Sequence, residues 1–269
     1  MGQNTKIDWA DATWNPVTGC LHGCGYCYAR GIANRFGLPY APKLGDPGME
    51  GAKKYDSSEG MDTMLELAKP YEKNGRKQPY PMGFLPTMHR YKLDEAQKWT
   101  RPRTIFVCSM ADLFGEWVPD EWIKAVFDAC QAGPQHRYLF LTKNPARFLN
   151  LANRGLLPTG DNFWYGSSVP TPDTPYFFDD WLNTFASIEP IHGDFGEWDV
   201  QTPEELPRWI IVGAETGNRR YKIIPKREWV DGIVMNAQGN GIPVFMKESL
   251  RSLMGDDFRQ EFPWEVKRS

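Results

Sequence analysis

The sequence predicts an α/β protein built on a parallel β-sheet or barrel. Six short apolar runs recur along the 269 residues, and their continuity is typical of strands buried on both faces of a parallel sheet. Helical patterns separate several runs, which implies right-handed crossovers. The length suits a barrel folding as one unit, so we expect a single domain over residues 1–269. The runs cover residues 104–108, 138–141, 163–166, 185–188, 209–212 and 244–246.

Three helices are predicted among these runs. Residues 119–133 begin with Pro-Asp, end with Gly and place apolar residues on one face, and residues 145–155 and 225–239 repeat this design. The segment 37–103 breaks the rhythm because it is rich in Pro, Gly, Lys and Tyr, with one helical candidate at residues 61–69. We interpret this segment as an insertion that forms a lid over one mouth of the barrel.

Composition limits the classes of function. The net charge of −3 argues against a whole-surface grip on duplex nucleic acid, although it leaves room for a local basic groove. The first residues lack the apolar core of a signal peptide, and no later stretch is apolar for long enough to span a bilayer. We therefore expect a cytoplasmic protein without a membrane partner.

Three of the five cysteines crowd together near the N-terminus. Cys20, Cys24 and Cys27 give a C-x3-C-x2-C spacing, which is too tight for an unstrained disulfide framework. The intervening glycines allow the backbone to wrap a bulky inorganic core. Three thiolates can hold three irons of a cubane and leave the fourth iron open for a chelating ligand.

A structural zinc site is the alternative, with His22, Cys108 or Cys130 completing a tetrahedron. We expect His22 to face solvent or to support the site without binding metal. Cys108 and Cys130 fit the pattern of small buried hydrophobes. A non-enzymatic iron–sulfur or zinc module that binds a partner protein would explain the cysteines but not the polar residues that follow the strands.

Polar side chains follow the apolar runs at the points where the strands end. In a parallel barrel these positions line the C-terminal mouth. Helix capping accounts for some of them, but their repetition after six strands favours a site. They are Ser109, Asp112, Thr142, Lys143, Ser167, Ser168, Glu189, Glu215, Lys247 and Glu248.

The cysteine motif, with the aromatic Tyr26 before its last cysteine, resembles the defining loop of the radical S-adenosylmethionine superfamily. Further motifs are similar to those of a little-characterised branch of that superfamily found in phages and bacteria, over residues 8–248. They are W-N-P-V-T-G-C, R-P-R-T-I-F-V-C-S-M-A-D-L-F, F-L-T-K-N-P, S-I-E-P and I-V-G-A-E-T-G. The resemblance implies a partial (β/α)6-type radical SAM barrel, with the cysteine loop following a first strand near residues 14–19.

The resemblance also implies an enzyme. Cys20, Cys24 and Cys27 would hold a 4Fe-4S cluster, and S-adenosyl-L-methionine would chelate its open iron. An electron from a donor such as flavodoxin or ferredoxin would then split the cofactor into methionine and a 5'-deoxyadenosyl radical, which abstracts a hydrogen from the substrate.

Several residues match cofactor-contacting positions of the superfamily. Tyr26 would contact the adenine, while Ser109 and Asp112 occupy the place that binds the methionyl amino group. Relatives often have Gly-Gly-Glu there, so Ser-Met-Ala-Asp departs from the pattern and leaves Asp112 as the acceptor. Ser167 and Ser168 match a position that binds the ribose or the carboxylate.

Gly213 belongs to a glycine-rich strand end that resembles the segment behind the adenine. The charged residues Lys143, Glu189, Glu215 and Lys247 are then the candidates for substrate contacts. Burying any of them is costly unless it is paired.

Two segments interleave basic and aromatic residues, one at 89–92 continuing to 98–103 and one at 218–222. This composition suits nucleotides or single-stranded nucleic acid, and a solvated cationic loop is the alternative. With Arg219 and Arg220 as contacts, the hypothesis is an enzyme that modifies a nucleobase, a nucleotide or a base in DNA. Another small-molecule substrate is the remaining option.

Overall fold

The protein is described by a computed structural model and divides into two compact units. The first comprises Met1–Thr5 and Ala10–Tyr138, and the second comprises Lys6–Trp9 and Leu139–Ser269. Both contain strands and helices, so the predicted α/β class is confirmed. The finer prediction of a radical SAM barrel, and that of one domain with an insertion at 37–103, stay predictions. The structure describes residues 5–38, 41–55, 64–196, 206–217 and 219–265.

The first unit contains a parallel strand pair and a smaller mixed sheet. Its strands are β1 (Ala12–Trp14), β2 (Val17–Thr18), β3 (Lys53–Tyr55), β4 (Met64–Leu67), β5 (Glu72–Lys73), β6 (Arg76–Lys77), β7 (Thr87–His89) and β8 (Thr104–Val107). Strands β1 and β8 are parallel, with Thr13 opposite Phe106. The mixed sheet has the order β2-β7-β4-β3, and β5 and β6 form a hairpin across an Asn74-Gly75 turn with positive φ at both residues.

The helical candidate at residues 61–69 is wrong where the structure describes it. Residues 64–67 form strand β4, which pairs with both β3 and β7, and residues 61–63 lie outside the described residues. All four residues of β4 are buried. Both faces of the strand are therefore covered, unlike the single apolar face of an amphipathic helix. Its one charged side chain, Glu66, accepts a hydrogen bond from Arg90 at 2.8 Å.

Two helices complete the first unit. Helix α1 (Tyr28–Phe36) follows the cysteine motif and buries only Ala29 and Ala33. Helix α2 (Asp120–Gln131) confirms the prediction for residues 119–133, with acidic residues in its first turn, where the helix dipole favours them.

The second unit is a parallel sheet with helices. Strand β9 (Arg137–Thr142) enters it from the first unit, and β10 (Phe163–Ser168), β11 (Asn183–Ile188), β12 (Ile210–Val212) and β13 (Val244–Met246) follow. They lie side by side in chain order, and the pairs from β10 to β13 are parallel. Helices α3 (Pro145–Asn153) and α4 (Arg227–Gly239) confirm two predictions, and a short helix α5 (Arg251–Met254) follows β13.

The core of the second unit explains why its strands are uniformly apolar. Every residue of β10 and β11 is buried, as expected for parallel strands covered on both faces. Trp209 lies against the rings of Trp164, Phe185 and Phe245 on one side of the sheet. The described connection 169–182 between β10 and β11 contains no helix, so the strand–helix alternation is interrupted there.

Because the strands of the second unit are parallel, their carboxyl ends share one edge. Each strand there is followed, within three residues, by a charged or hydroxyl side chain. Within the described ranges, no helix is both long and apolar enough to cross a membrane.

Candidate functional site

The cysteine loop connects β2 to α1 in the first unit. Its start is fastened by the Cys20 N–H, which donates to the Phe84 carbonyl at 3.1 Å. Its end is fastened by Cys27, which is the N-cap of α1 and accepts the Arg30 N–H on Sγ at 3.4 Å. The three thiols are therefore presented by a short loop that is held at both ends.

Gly19 directs the chain into this loop. Its φ of +89° lies in the left-handed region that favours glycine, and a Cβ would stand 2.2 Å from the carbonyl oxygen of Leu85. Its N–H donates to the Met110 carbonyl at 2.9 Å, and it forms a parallel bridge with Ala111. The loop thus begins directly against the segment that follows β8, as the prediction for residues 109–112 requires.

The three thiols of the loop are free and partly buried, and Cys108 and Cys130 are free and buried. Burial raises the pKa of Cys20 to about 11 and that of Cys108 to about 12. Thiols bind metal as thiolates, so metal binding at Cys20 would release a proton. The prediction that Cys108 and Cys130 act as small buried hydrophobes is confirmed.

The three sulfurs of the cysteine loop are the donor set that a metal or a cluster bound there would use. Among the described residues, no three His, Cys, Asp or Glu side chains are arranged to hold one metal ion. The loop offers three sulfurs without a disulfide, and the buried Trp117 Nε1 beside it has no hydrogen-bond partner.

His22 links the cysteine loop to the end of β8, which the sequence did not predict. Its Nε2 lies 2.7 Å from Asp112 Oδ2, and its ring meets that of Trp117 edge-on at 4.9 Å. The other oxygen of Asp112 accepts the Phe114 N–H at 3.0 Å. His22 therefore holds the cysteine loop to the segment that contains Asp112, and its role in supporting a metal site stays a prediction.

The remaining predicted residues of the first unit surround this contact. Ser109 Oγ lies 3.2 Å from Asn15 Oδ1, and the Tyr28 hydroxyl donates to the Ser109 carbonyl at 2.7 Å. Asn15 also accepts the Met110 N–H at 2.9 Å, so it orders the segment from which Asp112 projects. Asn15 belongs to the W-N-P motif, and this motif is the sequence signal by which it could have been found. Tyr26 lies within the loop itself and is partly exposed.

In the second unit, Lys143 and Ser168 meet at the ends of neighbouring strands. Lys143 Nζ donates to Ser168 Oγ at 2.7 Å. Ser167, the other predicted serine, points elsewhere and accepts the Phe177 N–H at 2.8 Å. Its hydroxyl therefore holds the connection after β10 in place.

Glu189 and Lys247 form an ion pair across the end of the intervening strand. Glu189 follows β11, Lys247 follows β13, and Gly213 follows β12 between them. A Cβ at Gly213 would lie 2.9 Å from Lys247 Cδ and 3.3 Å from Glu189 Cγ. The missing side chain of Gly213 is therefore what lets the two charges meet.

Glu215 makes several polar contacts at this edge. Both its oxygens accept hydrogen bonds from Arg219 at 2.6 Å, and His192 Nε2 lies 3.4 Å away. The bond to Arg219 is the main reason that the pKa of Glu215 falls to about 2. His192 was not predicted, since a single histidine gives no pattern in the sequence.

Residues 89–92, the first part of the first basic segment, are engaged in contacts within the first unit. His89 is completely buried, bonds Thr18 at 2.8 Å, and burial holds its pKa well below the usual value. Arg90 is paired with Glu66, and the Lys92 carbonyl accepts the Trp14 Nε1–H at 2.8 Å. Residues 89–92 thus stabilise the interior of the first unit. Lys98 and Arg101 of the continuation at 98–103 are exposed, so both interpretations of that part stay predictions.

The second basic segment is exposed where it is described, and residue 218 lies outside the described residues. Arg219 is committed to Glu215. Arg220 lies over the ring of Tyr221, with its guanidinium carbon 5.3 Å from the ring centroid. This segment retains the composition of a nucleotide-binding surface.

The fold and the two sets of residues define an α/β protein with a three-cysteine loop in one unit and a charged edge of parallel strands in the other. The chain belongs to a family described as protein of unknown function (DUF5131), whose model matches residues 4–252. None of the curated proteins and none of the solved structures matches it.

Proposed function

We propose that this chain is a radical S-adenosylmethionine enzyme. The observation that carries the proposal is the state of the five cysteines. Cys20, Cys24 and Cys27 are free, partly buried and gathered in one anchored loop, whereas Cys108 and Cys130 are sealed in the core. This distribution leaves three thiolates for a cluster and none for closing its fourth vertex.

A 4Fe-4S cluster bound there would supply the electron that cleaves S-adenosyl-L-methionine into methionine and a 5'-deoxyadenosyl radical. The loop residues hold the cluster and limit its access to water, since the thiols are half-buried. The Asp112 carboxylate lies 2.7 Å from His22 of the cysteine loop, and we assign it to the ammonium group of S-adenosyl-L-methionine.

The second unit supplies paired charges at its own strand ends. Lys143, Glu189 and Lys247 are partly exposed, so each can exchange its partner for a polar group of a bound molecule, whereas Ser168 is buried. We assign these four residues to polar groups of the substrate or cofactor. The reducing partner would be a small electron carrier such as flavodoxin or ferredoxin.

Anaerobic reconstitution tests this function. Wild-type protein supplied with iron and sulfide should bind about four of each per chain, and with dithionite and S-adenosylmethionine it should form 5'-deoxyadenosine. Cys24→Ala should lose the brown chromophore and the product, because it removes a ligand. Cys130→Ala is the matched control, since it deletes a buried sulfur and should keep both.

The alternative function is separated by the same measurement. If zinc is the only metal retained and no 5'-deoxyadenosine forms, the enzyme is refuted in favour of a metal-stabilised partner-binding module. A Cys130→Ala variant that loses iron as fully as Cys24→Ala would also contradict the assignment.

A further inference from the structure

Residues 219–224 form an exposed loop after β12 that is fixed by one buried carboxylate, and we call it the anchored loop. Glu215 is 7% exposed and binds the Arg219 guanidinium through two hydrogen bonds of 2.6 Å. One buried side chain therefore holds the beginning of the loop.

The anchored loop presents cations and an aromatic ring to solvent. Tyr221 and Ile224 are each 75% exposed, and Lys222 is exposed beside them. Arg220 lies against the Tyr221 ring, a cation–π contact that orients the ring. Tyr221 is thus an exposed ring between two cations in the chain, one of which lies over the ring, and the carboxylate that balances Arg219 is buried.

We propose that the anchored loop binds single-stranded nucleic acid. An unpaired base would stack on Tyr221, while Arg220 and Lys222 would contact the flanking phosphates. Stacking on an aromatic ring together with a local cationic groove is the usual basis of single-strand binding without sequence preference. Because Glu215 already holds the Arg219 side chain, binding costs less further ordering at the beginning of the loop.

Two properties favour a single strand over other anionic partners. Duplex DNA does not offer an unstacked base to Tyr221, and a net charge of −3 gives no general attraction to it. An acidic peptide would use the cations but gain nothing specific from an open aromatic face. The ring and the charges together therefore match one ligand class.

Another exposed aromatic residue provides a contrast within the same unit. Trp181 is 87% exposed, yet it follows Asp179 and Asp180, and its backbone N–H donates to the Asp179 carboxylate at 2.8 Å. Anionic surroundings repel phosphate, so Trp181 should not bind nucleic acid. It serves as the matched control for Tyr221.

The test is a fluorescence anisotropy titration of full-length protein with a labelled oligothymidylate of about 12 nucleotides. Tyr221→Ala should weaken binding roughly 5- to 150-fold, and Tyr221→Phe should restore it, because phenylalanine keeps the stacking face. Arg220→Gln and Lys222→Gln should each lower the slope of log affinity against log salt by about 0.7. Trp181→Ala should leave the affinity unchanged.

Several results would overturn the inference. Equal affinity for duplex of the same length, or equal loss from Trp181→Ala and Tyr221→Ala, would exclude stacking on this loop. Competition by polyglutamate as strong as that by oligothymidylate would indicate charge alone. Tyr221-dependent binding to anionic lipid vesicles, without oligonucleotide binding, would identify a membrane contact.

The inference goes beyond the proposed chemistry and does not depend on it. Binding is measured without added cofactor or reductant, so protein that forms no 5'-deoxyadenosine can still bind the oligonucleotide. Conversely, an active enzyme without Tyr221-dependent binding would refute only the anchored loop as a nucleic-acid surface.

Discussion

Replacing Gly19 tests how the cysteine loop is held, and the structure provides a matched comparison. Gly19 and Gly23 both have positive φ, +89° and +70°. A Cβ at Gly19 would stand 2.2 Å from the Leu85 carbonyl oxygen, whereas a Cβ at Gly23 meets nothing within 4 Å. Alanine at either position pays for the left-handed conformation, but only alanine at Gly19 also collides with backbone.

The expected losses in the free energy of unfolding follow from the left-handed conformation and from the steric clash. The left-handed conformation costs about 1–2 kcal/mol for a residue with a Cβ, and overpacking adds about 1–3 kcal/mol. Gly23→Ala should therefore lower the free energy of unfolding by about 1–2 kcal/mol, and Gly19→Ala by about 2–5 kcal/mol. Denaturant unfolding of the reduced, metal-free protein measures both variants by linear extrapolation.

Iron uptake provides the second readout of this comparison. Gly19→Ala displaces the segment from which Cys20 projects, so its iron content after reconstitution should fall below that of Gly23→Ala. If the two variants unfold within about 0.5 kcal/mol of each other, the contact with Leu85 does not constrain the loop. The account of how the thiols are positioned would then be incorrect.

Two further substitutions probe the charged edge of the second unit. Gly213→Ala should lower the free energy of unfolding by about 1–3 kcal/mol, because the new Cβ pushes Lys247 away from Glu189. Lys247→Met should then destabilise the Gly213→Ala variant less than it destabilises the wild type. Additive losses in this double-mutant cycle would contradict the contact. The pKa of Glu215 is lowered from 4.5 to about 2. The carboxylate therefore stabilises the fold above pH 4.5 and loses this effect as the pH falls towards 2. Glu215→Gln should remove this acid-sensitive part of the stability. Unfolding curves across this range should therefore converge for wild type and variant at low pH, and a constant difference would refute the pairing with Arg219.

The strands could be predicted because burial on both faces leaves a direct mark on the sequence. Residues 104–108 and 244–246 are continuous apolar runs, and strands occupy them to within one residue. Helix α1 left no such mark. Its buried face consists of Ala29 and Ala33 alone, so no apolar stripe announces it.

The candidate site could be predicted as a set of residues but not as a set of contacts. Parallel pairing places Glu189 and Lys247 at one edge, but their encounter depends on the absent side chain of Gly213 between them. Likewise, His22 and Asp112 are 90 positions apart, and a sequence gives order along the chain without cross-chain distances. Side-chain packing decides which acidic side chain pairs with which basic one.

Cys27 has a consequence for how occupancy of the loop reaches the rest of the first unit. Its sulfur accepts a hydrogen bond from the backbone N–H of Arg30, in the first turn of α1. An ionised acceptor holds such an amide more strongly than a neutral one does. Conversion of this sulfur from thiol to metal-bound thiolate would therefore tighten the opening turn of α1, whose outward surface carries Tyr28 and Phe36, both more than half exposed. Through this one atom, metal binding in the loop would change the rigidity of the helix that follows it.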